Sequence, residues 1–279
     1  MRPIIIIGAG GIVNDAHLPA YKIAGYEVVG IYDIDNQKAT DTAKKFGVPV
    51  IYESLQDVIA LAPRGVVFDV AVPGKEMINV LQQLPASSAV LLQKPMGHNY
   101  EEAKKILQIT REKKMIAAVN FQLRYAPFIQ EARKIMQQDG FGTLCDVEIN
   151  VNVFTPWHLW QFLNELPRVE ILYHSIHYID LVRSLLGNPQ SIYAKTTKHP
   201  LQQQLASVRS NIIMDYGDTV RANILTNHNH QFGPGHQSSY IKLEGTKRAI
   251  KIQMGLLMNY PEGLADNMEY TFSSKGQWK

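Results

Sequence analysis

Four groups of residues in this 279-residue chain have the types and spacing that chemistry requires. In the first, IIIIGAGGIV (residues 4–13) places Gly8 and Gly10 directly after an apolar run. A glycine turn between a strand and a helix is built to hold a pyrophosphate. Gly8 permits the tight turn, Gly10 lets the backbone approach, and the helix N-terminus supplies N–H donors. Gly11 adds room, and Val13 stands where the G-x-G-x-x-G fingerprint has its third glycine. That third glycine serves close helix–strand packing rather than phosphate contact, so Val13 is expected to shift the helix slightly and leave the site in place. Asp33 closes the second apolar run, VVGIYDID, 23 positions after Gly10. A carboxylate there accepts hydrogen bonds from both hydroxyls of an adenosine ribose and repels a 2′-phosphate, which favours NAD over NADP.

In the second group, Lys94 follows the apolar run AVLLQ and precedes Pro95, which fixes the backbone beside it. Ligands bind at the carboxyl edge of a parallel sheet, and a desolvated lysine there can be tuned to take the proton of an alcohol under oxidation. The plainer reading is a solvated surface lysine. The third group, His174, His177 and Asp180, is spaced by three, which places all of them along one flank of a helix. A core histidine satisfied by a backbone carbonyl is the alternative, with more weight for His174 than for His177. The fourth, NHNHQFGPGH, gathers His228, His230 and His236 with no cysteine or carboxylate near; His228 and His230 would share a strand face, so a metal site stands beside a polar loop as a reading. Trp157, His158 and Trp160 in FTPWHLWQ, with Arg168 shortly after, form either a wall that stacks on sugar C–H surfaces or ordinary packing.

These residues need elements to hold them. PIIII, EVVGIY, VPVIY, GVVFDVAV, AVLLQ and MIAAV are β-branched runs of strand length, the pattern of parallel strands covered on both faces. Between them lie helical stretches, two of which open on capping boxes at Ser54/Asp57 and Asn99/Glu102. The alternation predicts a doubly wound sheet over residues 1–120. After Asn120 the pattern changes. YAPFIQEARKIMQQDGFG is a helix ended by glycines, CDVEINVNV alternates like a half-buried strand, and VEILYHSIHYIDLVRSLLG is a helix stopped at Gly187. From Ser191 onward the chain reads as strand, so residues 121–279 are expected to pack helices on a largely antiparallel sheet. The net charge of +3 is small and its lysines and arginines are spread along the chain, which argues against nucleic acid or membrane as partner. One cysteine, Cys145, excludes an intrachain disulfide, and no run approaches the ~20 apolar residues of a membrane span. A cytoplasmic protein is expected.

Five stretches in the same order resemble the Gfo/Idh/MocA oxidoreductase family, and together they cover most of the chain. They are HLPAY after the glycine turn, GIYDIDNQKATDTAKKFGV, LLQKPMGHNYEEAKKI for an E-K-P segment, VNFQLRYAPF for N-x-R-x-x-P, and SIHYIDLVRSLLG for H-x-x-D. The resemblance implies an N-terminal Rossmann domain and a C-terminal α/β domain whose open sheet forms dimer or tetramer contacts. It implies reversible hydride transfer between NAD and a hydroxyl carbon of a sugar, polyol or cyclitol. Lys94 then exchanges the proton and His177 contacts the reacting hydroxyl. Gly8, Gly10, Gly11, Ile12, Asp33, Pro73, Lys94 and Asn120 bind the cofactor, and Arg124, Trp157, Arg168, Tyr173, His174 and His177 bind substrate. Arg124 is read equally as forming an interdomain ion pair. The family needs no metal.

Three departures stand near this site. Gln93 replaces the family's Glu before the lysine, Met77 its His after Pro73, and Tyr173 its Asp four residues before the histidine. They motivate two alternatives, an NAD-binding sensor with weakened catalysis and a non-redox enzyme with tightly held NAD. The chain is also short for the family and ends at SSKGQWK, which implies a reduced or truncated C-terminal element.

Overall fold

The computed structural model describes residues 1–260, 262–271, 276 and 278; most of the terminal SSKGQWK segment lies outside them. The chain divides into two compact units, Met1–Asn120 and Phe121–Lys279.

The first unit is a five-stranded sheet of β1 (Ile4–Ile7), β2 (Val28–Tyr32), β3 (Val67–Val70), β4 (Ala89–Leu92) and β5 (Ile116–Val119). The order is β2-β1-β3-β4-β5 and every pair is parallel. Ile5, Ile6 and Ile7 are fully buried, as residues of a strand covered on both faces must be. The chain turns from one side of β1 to the other between β2 and β3. The carboxyl end of β1, where the glycine turn begins, is therefore the switch point at which such sheets bind ligands. Helices α1 (Leu18–Ala24), α2 (Asn36–Phe46), α3 (Leu55–Leu61), α4 (Met77–Gln83) and α5 (Tyr100–Glu112) connect the strands. Both capping boxes form, with Ser54 Oγ accepting from the Asp57 amide at 3.1 Å and Asn99 Oδ1 from the Glu102 amide at 2.9 Å. VPVIY is not a strand. It gives a single bridge, Ile51 with Ile31, because the turn at Gly47 and the Ser54 cap leave too little chain between them.

The second unit packs α6 (Pro127–Met136) and α7 (Ile176–Leu186) on a seven-stranded sheet. Its strands are β6 (Leu144–Asn152), β7 (Ser191–Thr197), β8 (Arg209–Asp215), β9 (Arg221–Asn227), β10 (Ser238–Gly245), β11 (Ala249–Gln253) and β12 (Asn267–Thr271), in the order β12-β11-β10-β6-β9-β8-β7. All pairs are antiparallel except β6 with β9. The expected alternation holds in β6: Val147, Ile149 and Val151 are buried in the helix-covered core while Asp146, Glu148 and Asn150 lie on the other face. Among the described residues no helix is long and apolar enough to cross a membrane.

Candidate cofactor and active-site residues

The glycine turn divides its labour sharply. Gly8 has φ +110°, and a Cβ there would stand 2.5 Å from the Ala71 carbonyl oxygen, so only glycine fits. A Cβ at Gly10 would meet nothing within 4 Å, which leaves open ground for a ligand to approach the backbone. Val13 is fully buried among Ile4, Ile6, Leu18 and Ile31. The helix runs as a π turn over Val13–His17 before α1 begins. Asp33, just past β2, accepts from the Ala9 amide at 2.6 Å and from the Asp35 amide at 2.8 Å. The acid is thus pinned to the turn itself, and a carboxylate's remaining lone-pair sites can still accept from ribose hydroxyls. A dinucleotide fits this cradle, with Gly10 open, Gly8 locked and Asp33 oriented.

The other strand ends add the remaining groups. Pro73 follows β3 and caps a short 3-10 turn, Gly74–Glu76. Met77, in place of the family's histidine, is fully buried in the apolar core. Lys94 follows β4, its bond to Pro95 is cis, and burial brings its ammonium down to about 8. Gln93 is buried, its Oε1 accepting from the Lys94 amide at 2.7 Å and its Nε2 lying 3.3 Å from His17 Nε2. Asn120, past β5, brings its Nδ2 to 3.0 Å from the same ring nitrogen. On its other side His17 lies 2.7 Å from Asp69, a wholly buried carboxylate in β3. Sequence reasoning missed both His17 and Asp69. The available signal was an acid in the middle of the apolar run VVFDVAV, since a charge inside a covered strand must be paired.

In the second unit, the single flank expected for His174, His177 and Asp180 splits. Ile171–Ser175 is a π turn, and its wider winding rotates His174 away from the other two. Asp180, buried, is clamped by Arg124, whose Nε and Nη2 both donate to it. Arg124 therefore ties the 3-10 turn Gln122–Tyr125 to α7 within its own unit, where an interdomain pair was the alternative expected. His177 stands edge-on to Phe121, ring centroids 6.1 Å apart.

His174 lies over His228, centroids 4.2 Å apart, with Trp157 edge-on to both. His228 in turn lies 3.6 Å from Glu170, a wholly buried carboxylate that also accepts from Ser175 Oγ at 2.7 Å. Burial works to raise the Glu170 carboxyl, but His228, Ser210 and Ser175 together hold it below its ordinary value. Glu170 was not anticipated, although it precedes His174 by one helical turn.

Three expected substrate contacts have the following surroundings. Trp157 is only 7% exposed and sits in a cluster with Leu163, Val169, Leu205 and Val208, so its faces are taken up by packing. Tyr173 packs against that cluster edge-on to Phe162, and burial pushes its phenol up. Arg168 is exposed. His230 lies past β9 with its Nδ1 3.2 Å from Asn152 Nδ2. Among the described residues no three histidine, cysteine or acidic side chains are grouped to hold a metal ion.

Residues 2–121 match the Gfo/Idh/MocA oxidoreductase family, NAD-binding Rossmann fold, and residues 129–251 match the GFO/IDH/MocA C-terminal domain. Among curated proteins, glucose-6-phosphate 3-dehydrogenase of Bacillus subtilis is 32% identical over 152 residues, 54% of this chain and 42% of that one. The chain spans about half the length of the curated relatives it matches. An oxidoreductase from Agrobacterium radiobacter, solved in complex with NAD+, L-tartaric acid and magnesium, superposes with a TM-score of 0.80 at 19% identity, covering 100% of this chain and 79% of that one. UDP-N-acetylglucosamine 3-dehydrogenase from Acidithiobacillus ferrooxidans gives 0.74 at 17% identity over 99% and 82%. At these identities the structural likeness is one of fold.

Proposed function

The chain belongs to the Gfo/Idh/MocA oxidoreductase family, and on that premise we propose that it is a dehydrogenase exchanging hydride between NAD and a hydroxyl carbon of a sugar, polyol or cyclitol. The observation that carries this reading is Lys94, a desolvated lysine on the carboxyl edge of the sheet that also bears the glycine turn. When bound, the nicotinamide supplies the hydride acceptor or donor. Gly8, Gly10, Gly11, Ile12, Asp33, Pro73 and Asn120 would hold the dinucleotide, with Asp33 selecting the unphosphorylated ribose.

In the oxidation direction the neutral Lys94 amine takes the hydroxyl proton at Nζ. Its neutral fraction grows as pH rises through about 8, so the oxidation rate rises over the same range. His177 orients the hydroxyl. His174, stacked on His228 with Glu170 behind it, is kept as a substrate-binding residue, and the place of the family's acid is held by Tyr173. Arg168 remains for a substrate oxygen. A cytoplasmic location and assembly through the outer face of the seven-stranded sheet belong to the same reading.

A second reading, an NAD-binding sensor without turnover, draws on Met77 and Tyr173, both apolar-packed where the family carries polar groups. Titration with NADH and NADPH, followed by a sugar and polyol oxidation panel, separates the two. NADH is expected to bind more tightly, and Lys94→Ala to abolish oxidation while keeping NADH binding. Tighter NADPH binding overturns the role of Asp33, unchanged turnover in Lys94→Ala overturns that of Lys94, and binding with no turnover of any substrate supports the sensor.

A further inference from the structure

The buried chain that runs through His17 has its hydrogens fixed by its own geometry. Burial first, and then the charge of Asp69, hold the Tyr21 phenol above its ordinary value, so Tyr21 donates to Asp69 Oδ2 at 2.9 Å. His17 Nδ1 lies 2.7 Å from the same oxygen, so Nδ1 also carries a hydrogen and donates it. At the other end, the Lys94 amide has no choice but to donate, and it donates to Gln93 Oε1 at 2.7 Å. This settles which way the Gln93 amide points: its NH2 end faces His17 Nε2 at 3.3 Å. Asn120 Nδ2 stands 3.0 Å from that nitrogen. A ring nitrogen approached by two N–H donors is an acceptor. His17 therefore donates from Nδ1 and accepts at Nε2.

The chain joins four pieces of the carboxyl edge: the π turn after the glycines, β3, and the ends of β4 and β5. Backbone bonds alone, Gln93 to Val70 at 3.0 Å and Asn120 to Leu92 at 2.8 Å, set the strand ends but leave the side-chain amides free to turn over. We propose that His17 is a positioning residue: clamped by Asp69, it orders the amides of Gln93 and Asn120 and through them holds Lys94 and the Asn120 carbonyl at the sheet edge. This rests on the dehydrogenase reading. With Nδ2 committed to His17, the Asn120 side chain offers Oδ1 to a ligand, and an amide N–H such as that of a nicotinamide carboxamide is the donor class it takes. The same logic explains Gln93. A glutamate there would set a carboxylate oxygen against Nε2, forcing that nitrogen to donate and placing an imidazolium between two carboxylates, with a new negative charge one residue from Lys94.

Two measurements test the role. Nitrogen-15 NMR of histidine-labelled, ligand-free protein, with the His17 signal assigned by its loss in His17→Gln, is expected to show hydrogen on Nδ1 and none on Nε2. In Gln93→Glu both ring nitrogens become protonated at pH 7, and because this imidazolium offsets the new carboxylate, the rising limb of oxidation rate against pH stays close to its wild-type place. In the double variant His17→Gln, Gln93→Glu, where nothing offsets the carboxylate, the limb moves up by about one unit. His17→Gln, whose carbonyl still accepts from the amides, is expected to keep several-fold more kcat than His17→Phe. Hydrogen on Nε2 in the wild type overturns the proposal, as does a pH limb moved as far in Gln93→Glu as in the double variant when both proteins bind NADH normally. Failure of the wild type to bind NADH would sink the dehydrogenase reading, and this role with it. NADH binding with a limb moved equally in the single and double variants would sink the role alone.

Discussion

Gly8 and Gly10 are two letters apart in GAGG, yet a methyl group added to each meets opposite surroundings. At Gly8 it enters the Ala71 carbonyl on a backbone of positive φ. Gly8→Ala should cost about 2–3 kcal/mol of unfolding free energy, the range of overpacked and strained sites. At Gly10 it enters open space, so Gly10→Ala should leave stability within about 0.5 kcal/mol. There the loss should appear in binding, as NADH affinity weakened by about tenfold, ~1.4 kcal/mol. Urea unfolding and NADH titration of the two variants check both halves. A Gly10→Ala protein that binds NADH as the wild type does would remove the phosphate from this turn.

At the scale of elements, two helices follow a π turn, Val13–His17 before α1 and Ile171–Ser175 before α7. Each re-aims a histidine: His17 onto Asp69 and His174 onto His228. Regular i, i+3 spacing cannot foresee this, which is why His174 was expected beside His177. The fixed point of the second helix is Arg124 on Asp180. Asp180→Asn should lower stability by about 2 kcal/mol, below the ~3–5 of a fully buried pair because the arginine side chain is 36% exposed. Arg124→Lys should not hold the fold equally well, since an ammonium cannot supply two parallel donors. Thermal melts of the two variants decide the point; a melting temperature unchanged in Asp180→Asn would show that the clamp adds nothing. Five of the six strand runs read in the first unit, and both capping boxes, were legible because burial and cap chemistry act locally. Glu170 and Asp69 were not read as site residues, because their partners lie 58 and 52 positions away.

For the whole molecule, the seven-stranded sheet has one face under α6 and α7 and another that carries paired charges, Arg221 with Asp146 at 2.7 Å among them. On that outer face Tyr193 and Ile213 stand opposite one another on β7 and β8, 61% and 46% exposed, and Leu225 on β9 is 50% exposed. An apolar strip edged by charges suits a second copy of the same sheet. Sedimentation is expected to give a dimer or tetramer, and the double variant Ile213→Glu, Leu225→Glu a monomer. A wild-type monomer at micromolar concentration would overturn this assembly.

The sequence by itself determined the two architectures, the glycine turn with an acid after the second strand, and the order of five family signals, because apolar periodicity, turn glycines and caps are properties of neighbouring residues. The tertiary structure decided what surrounds each candidate side chain. It gave Trp157 and Tyr173 to packing, bound Arg124 to Asp180, and set His17 between Asp69 and two amides from different strands. Those outcomes turn on burial and on donors and acceptors brought together across the sheet. A carboxylate or imidazole acquires its role from what is within 3 Å of it in the fold, and no spacing along the chain encodes that.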